Sequence, residues 1–167
     1  GEIYEKTPMK SVDIEEDLIT VNSLYGYKIK TEKLIIASHF PFYDGLSFYF
    51  TRLKPERSYV VAGEYDKEFP KATFINIEDP TRSLRIYEDG KRRFLLIGGE
   101  SHKVAHDNDK DYYGRLKEFG KEVFGIERYQ FEWSTQDYIT PDGIPYIGYL
   151  NTIRENILVA TGFAKWG

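Results

Sequence analysis

The sequence predicts an α+β fold made of antiparallel and mixed β-sheet with one main amphipathic helix. Three observations point to it. Short runs alternate apolar and polar residues between turn signals along most of the chain. One stretch, 109–124, repeats apolar residues at helical spacing. No internal repeat or low-complexity tract suggests a solenoid or a disordered region.

In chain order, Ile3-Tyr4, Val12–Ile14, Ile19–Val21 and Tyr27–Lys30 alternate as strands of a small meander, turning at Glu15–Asp17 and Gly26. Lys33–Ser38 is continuously apolar at its centre, the pattern of a strand buried on both faces of a parallel sheet. From His39 to Arg57 the chain reads as a crossover with a short helix or turn. Four strands follow, Arg57–Tyr65, Thr73–Glu78, Arg82–Tyr87 and Arg92–Gly98, with Asp89-Gly90 as a hairpin signal. The helix is expected between Asp109 and Phe124. Tyr112, Leu116, Phe119 and Val123 form its apolar stripe, acids open it, Lys117 and Lys121 lie toward its end, and Gly125 stops it. Strands resume at Tyr129–Trp133, Pro145–Ile147 and Ile157–Ala160. The last runs out at 161–167 without a closing helix, as expected of an internal segment of a longer protein.

Composition narrows the function. The 167 residues, 41% hydrophobic, suffice for a buried core. With 14 Tyr and 11 Phe, the chain can line a pocket with amphipathic rings or fill a β-rich core. The net charge of −4 comes from scattered acids and bases with no basic stripe, so nucleic acid is not an expected partner. No apolar run approaches the roughly 20 residues that span a bilayer, and the start lacks a charged-then-apolar leader. A soluble, cytoplasmic protein without a membrane partner is the expectation. The absence of cysteine excludes disulfides, thiolate nucleophiles and thiolate-ligated iron–sulfur clusters within this stretch.

Three motifs carry a resemblance. Thr31–Ser38, preceded by Gly26, ends Ala37-Ser38-His39. The run from Trp133 through Thr140-Pro141-Asp142-Gly143-Ile144-Pro145 to Ile147-Gly148 is the most specific, because Pro141-Asp142-Gly143 sets a tight turn and Pro145 stiffens the following strand. Asn156–Phe163 is a strand ending in the Thr161-Gly162 turn. Each alone is an ordinary strand-to-turn junction. Together and in this order they resemble the glycine/D-amino-acid oxidase (DAO) family of FAD-dependent oxidoreductases, which bind FAD on a Rossmann-like domain and present substrate from an antiparallel-sheet domain. The family's first strand ends Ala-Thr-Gly, so His39 stands where glycine is usual.

The resemblance implies partial FAD-binding segments at 1–39 and 141–167 flanking a substrate-binding domain at 40–140. It implies FAD contacts at Ala37, Ser38, His39, Asp142, Gly143, Gly162, Phe163 and Lys165, the lysine supplying a cation beside the reduced flavin. It implies hydride transfer from the carbon of an amine or amino acid to the flavin. No Gly-x-Gly-x-x-Gly turn occurs in the chain, so FAD is expected in a longer parent that supplies the missing FAD-binding segments, and not in this chain by itself. The segment alone is expected to be inactive and to self-associate through uncovered strands. An alternative is a non-catalytic module binding a peptide or protein, and an NAD-linked reductase is a further rival.

Arg82 and Arg85, read as sharing one strand face, are candidates for holding a substrate carboxylate. Asp107-x-Asp109-x-Asp111 with Glu118 imitates a calcium loop, but its sixth place is Tyr112 where glycine is needed, so helix-opening acids are the favoured reading. His102 and His106 have a metal-pair spacing without a recognisable third ligand, and no metal is expected.

Overall fold

The computed structural model describes residues 1–104 and 110–165. In chain order its first elements are β1 (Met9–Glu15), β2 (Leu18–Ser23), β3 (Lys28–Thr31), β4 (Leu34–Ile36), α1 (Tyr49–Arg52) and β5 (Lys54–Glu64). They are followed by β6 (Thr73–Ile75), β7 (Arg82–Asp89), β8 (Arg92–Lys103), α2 (Tyr112–Phe124), β9 (Tyr129–Ile139), β10 (Tyr146–Tyr149) and β11 (Ile157–Thr161). This is the α+β architecture that the alternation predicts. The chain forms two compact units, Gly1–Lys54 with everything from Tyr138 on, and Pro55–Asp137.

In the first unit β1, β2 and β3 form an antiparallel meander. Ile19 and Val21 point into the core while their sheet neighbours face out, the period of two that a half-buried strand requires. Ile3 and Tyr4 lie in irregular chain before β1, since alternation without a partner strand makes no ladder.

A second sheet has the order β10-β11-β4, with β4 parallel to β11 and β10 antiparallel to it. Strands far apart in sequence are thus neighbours. β4 is covered on one face and not on two: Ile36 is 1% exposed and Ile35 69%. The register sets Ile35 opposite Leu158, Leu158 opposite Tyr149, and Ala160 opposite Ile147, so these side chains share the outward face.

Residues 40–54, expected to begin the second domain, belong to the first unit. Ser47 donates to the Leu150 carbonyl at 2.8 Å, and the Asn151 amide donates to that of Gly45 at 2.8 Å. Tyr49 and Leu53 join Ile36, Ile157 and Val159 in one core. The Asp44 carboxylate accepts from the backbone N–H of Phe48 and Tyr49, which fixes the short α1 turn.

The second unit is a five-stranded sheet of order β6-β7-β8-β5-β9 with α2 against one face. A two-residue loop at Gly90-Lys91 closes the β7–β8 hairpin, with Gly90 at φ 58°. Val61, Leu95, Ile97, Leu116 and Ile126 make its core. α2 starts at Tyr112, later than the acids suggest, because Asp111 is its N-cap and accepts from the Gly114 N–H at 2.8 Å. Gly125, at φ 71°, ends it. The packing stripe is Tyr112, Leu116 and Gly120, an i, i+4 row, and Val123 is 58% exposed outside it. Gly120 makes room for Tyr129 and Gly63 for Ile126, since a Cβ at Gly120 would overlap the Tyr129 hydroxyl and one at Gly63 the Ile126 side chain, with the Tyr129 ring next at 3.1 Å. That hydroxyl donates to the Lys117 carbonyl at 2.8 Å, and burial pushes its pKa up to about 12.

Candidate functional site

In the first unit the parallel pairing of β4 and β11 brings the carboxyl ends of two strands to one edge. In open α/β sheets that edge is where ligands bind. Ala37, Ser38 and His39 leave β4 there and are exposed. His39 has φ 66°, its carbonyl accepts from the Thr161 hydroxyl, and its ring meets that of Tyr138 edge-on at 5.0 Å. The ends of the two strands are therefore tied together.

At the end of β11, Gly162 has φ 75°, and a Cβ there would lie 2.5 Å from Thr140 Cγ2 and 3.2 Å from Leu53 Cδ2. Only glycine fits without displacement. Phe163 bridges Ile139, and Tyr146 lies opposite Thr161. The Thr140–Gly143 turn is thus held on both sides by the chain around Gly162. The turn closes through the Gly143 N–H to the Thr140 carbonyl at 3.2 Å, with Pro141 presetting its first corner. The Ile144 N–H donates to Asp142 at 3.1 Å and holds its carboxyl below the ordinary aspartate value, so an anion stays at this edge. The structure therefore gathers His39, the Asp142-Gly143 turn, Gly162 and Phe163. Lys165 follows two residues later, exposed, and Trp133 belongs to the part of β9 in the second unit.

In the second unit the two candidate arginines part company. Residues three apart on a strand face opposite sides, so Arg82 and Arg85 do not share a face as the sequence reading supposed. Arg82 lies on the α2 side, 8% exposed, ion-paired with Glu100 and placed 5.7 Å from the centroid of the Phe119 ring. Arg115 reaches the same carboxylate at 3.4 Å. Arg82 is thereby committed to the fold and is not available to a substrate.

Arg85 lies on the opposite face, where it lines a cavity of about 380 Å³ with Tyr87, Phe94, Leu96, Phe131 and Trp133. Sequence reasoning singled out Arg85 and Trp133 but missed the rings between them. The alternation Arg85-x-Tyr87 beside Phe94-x-Leu96 carried that signal once the hairpin register was set.

His102 Nδ1 lies 3.2 Å from the Glu100 carbonyl, and its ring stacks on Tyr112 at 4.3 Å and on Tyr59 at 5.7 Å, which makes it part of the packing around α2. His106, Asp107 and Asp109 lie outside the described residues. Among the described residues no group of three or more His, Asp or Glu is arranged to hold a metal ion, and no helix is long and apolar enough to cross a membrane.

No family model matches the chain. It is 38% identical over 169 residues to the Bacillus subtilis (strain 168) protein YhfW, named a Rieske 2Fe-2S iron-sulfur protein, and the match covers 100% of this chain and 33% of that protein. The chain therefore spans about a third of the length of the curated relative it matches. Among solved structures it is similar to glycine oxidase from Geobacillus kaustophilus, with TM-score 0.72 and 20% identity over 97% of this chain and 44% of that one. It is also similar to L-proline dehydrogenase from P. horikoshii, with TM-score 0.67 and 18% identity over 96% of this chain and 45% of that one. These likenesses establish a fold shared with amino-acid oxidoreductases.

Proposed function

We propose that the chain is the substrate-side part of a flavin-dependent oxidoreductase that oxidises a C–N bond of an amine or amino acid, within a longer protein that completes the FAD site. One observation carries the reading. β4 and β11 pair in parallel although the whole second unit separates them in sequence, and the resulting edge collects the ends of the first and third motifs that resemble the DAO family with the Thr140–Gly143 turn of the second. This arrangement supports a substrate sheet inserted in sequence into a flavin-binding unit, with 40–54 reassigned to that unit.

The residues at the edge fit one wall of a flavin site. Left-handed backbone at His39 and Gly162 turns the chain sharply at both strand ends, the kind of turn a cofactor can approach closely. They do not fit a pyrophosphate, since the chain has no glycine-rich turn leading into a helix. Bound FAD would supply the hydride acceptor. The work of this chain's own residues is then positioning and exclusion of water. In the second unit Arg85 holds an acidic group of the substrate and the rings beside it exclude water; in the first unit the Asp142 turn and Lys165 belong to the flavin wall. A Rieske cluster needs two cysteines and two histidines, and this chain has no cysteine, so the cluster in the name of the relative has no place in this segment.

The test is to purify the longer protein that carries this chain, look for bound flavin, and mix it anaerobically with a panel of amines and amino acids. Bleaching of the oxidised flavin by a member of the panel is the expected result. A protein that binds no flavin overturns the reading and leaves a non-catalytic binding module.

A further inference from the structure

Resting on that reading, we propose that the open face of the second unit selects a carboxylate whose body is bulky and apolar, with an aromatic group preferred, over one of glycine size. Charge comes first. Arg85 is exposed, and its side chain has no hydrogen bond or ion pair among the described residues. The nearest acid on its strand face, Asp89, is already paired with Arg92 at 2.6 Å, and Arg92 lies 5.5 Å from the centroid of the Phe94 ring. Of the two charged residues that line the cavity, Arg85 and Asp89, only Asp89 has an ion pair among the described residues, and the planar fork of the Arg85 guanidinium suits a carboxylate.

The surroundings of that charge decide the size of the ligand. Phe94, 1% exposed, forms a fixed floor, and Phe131 meets it edge-on at 5.7 Å. Phe131 and Trp133 stand 51% and 39% exposed above it, with Tyr87 on the other side at 53%. A ligand of four or five heavy atoms occupies a small part of about 380 Å³ and leaves these rings in water. One carrying a phenyl or indole group covers them. Burial of a group of that size tightens binding on the order of 10- to 100-fold. The rings hold few rotamers, so their ordering costs little.

The experiment titrates this protein with 3-phenylpropionate, acetate and the uncharged 3-phenylpropanamide, following tryptophan fluorescence and the amide NMR shifts of residues 83–96 and 129–135. Phenylpropionate is expected to bind 10- to 100-fold tighter than acetate, with shifts at those residues. Arg85→Gln is expected to bring it down to the affinity of the amide while the spectrum of the fold is retained. Equal affinity for acetate and phenylpropionate, no binding of either, or an Arg85→Gln variant that binds both as before overturns the proposal. The two readings fail separately. A longer protein that binds no flavin removes the proposed activity but leaves this preference standing. A flavin reduced by glycine as readily as by phenylalanine removes only the preference.

Discussion

Gly162 is the point at which backbone conformation, close packing and the proposed flavin edge coincide. Its φ of 75° costs an L residue about 1–2 kcal/mol. The contact of 2.5 Å that a Cβ would make with Thr140 Cγ2 adds an overpacking cost of about 1–3 kcal/mol. Gly162→Ala is therefore expected to lower stability in urea by about 2–4 kcal/mol. Thr140→Ser removes the clashing methyl but not the backbone strain. The double variant should recover the packing share alone, and equal stability of Gly162→Ala and the wild type would refute the close approach. Thr161-Gly162 was legible as a turn in the sequence. The partner Thr140 was not, because nothing local links positions that only the Ile139–Phe163 bridge brings together.

Among the elements, α2 shows how a helix is held by what lies beneath it. Gly120 and Gly63 are weak formers of helix and strand, yet a side chain at Gly120 would collide with Tyr129 and one at Gly63 with Ile126 beneath the helix. The Tyr129 phenol has its pKa raised to about 12 by burial, so its neutral form is favoured by folding. A folded pKa above the unfolded one contributes stability that is complete below about pH 10. That contribution is lost as pH rises through about 12. Stability measured across this window should fall, and Tyr129→Phe should flatten the fall. A phenol titrating with the exposed tyrosines in difference absorption would contradict the burial. The sequence made this helix and its Gly125 stop legible because period and cap agree. It overstated the helix at both its start and its stripe, since acids at 107–111 and apolar Val123 fit helical spacing without any knowledge of which face the sheet covers. The same lack of a partner explains β4. Three consecutive apolar residues look buried on both sides, although Ile35 faces outward beside Leu158 and Tyr149.

For the whole molecule, the decisive property is that its two units offer different surfaces, a strand-end edge in one and an aromatic cavity in the other, and neither shows a glycine-rich phosphate cradle among the described residues. Flavin affinity in dinucleotide folds comes largely from the pyrophosphate, seated where backbone N–H groups and a helix dipole meet its charge. The chain has no Gly-x-Gly-x-x-Gly turn, and α2, capped by Asp111, presents a carboxylate at its N-terminus, which repels phosphate. What remains for FAD is one wall around His39, Asp142 and Gly162. Asp142, held ionised by the Ile144 N–H, adds a negative charge to that wall. A single wall cannot repay the ordering of so large a ligand. Titration of this chain with FAD, followed by flavin fluorescence or calorimetry, should therefore show no saturable binding in the micromolar range. A longer protein carrying the same chain should retain flavin through purification. Saturable micromolar binding by the chain alone would place a phosphate site within these residues and overturn the division of labour proposed between this segment and the rest of its protein.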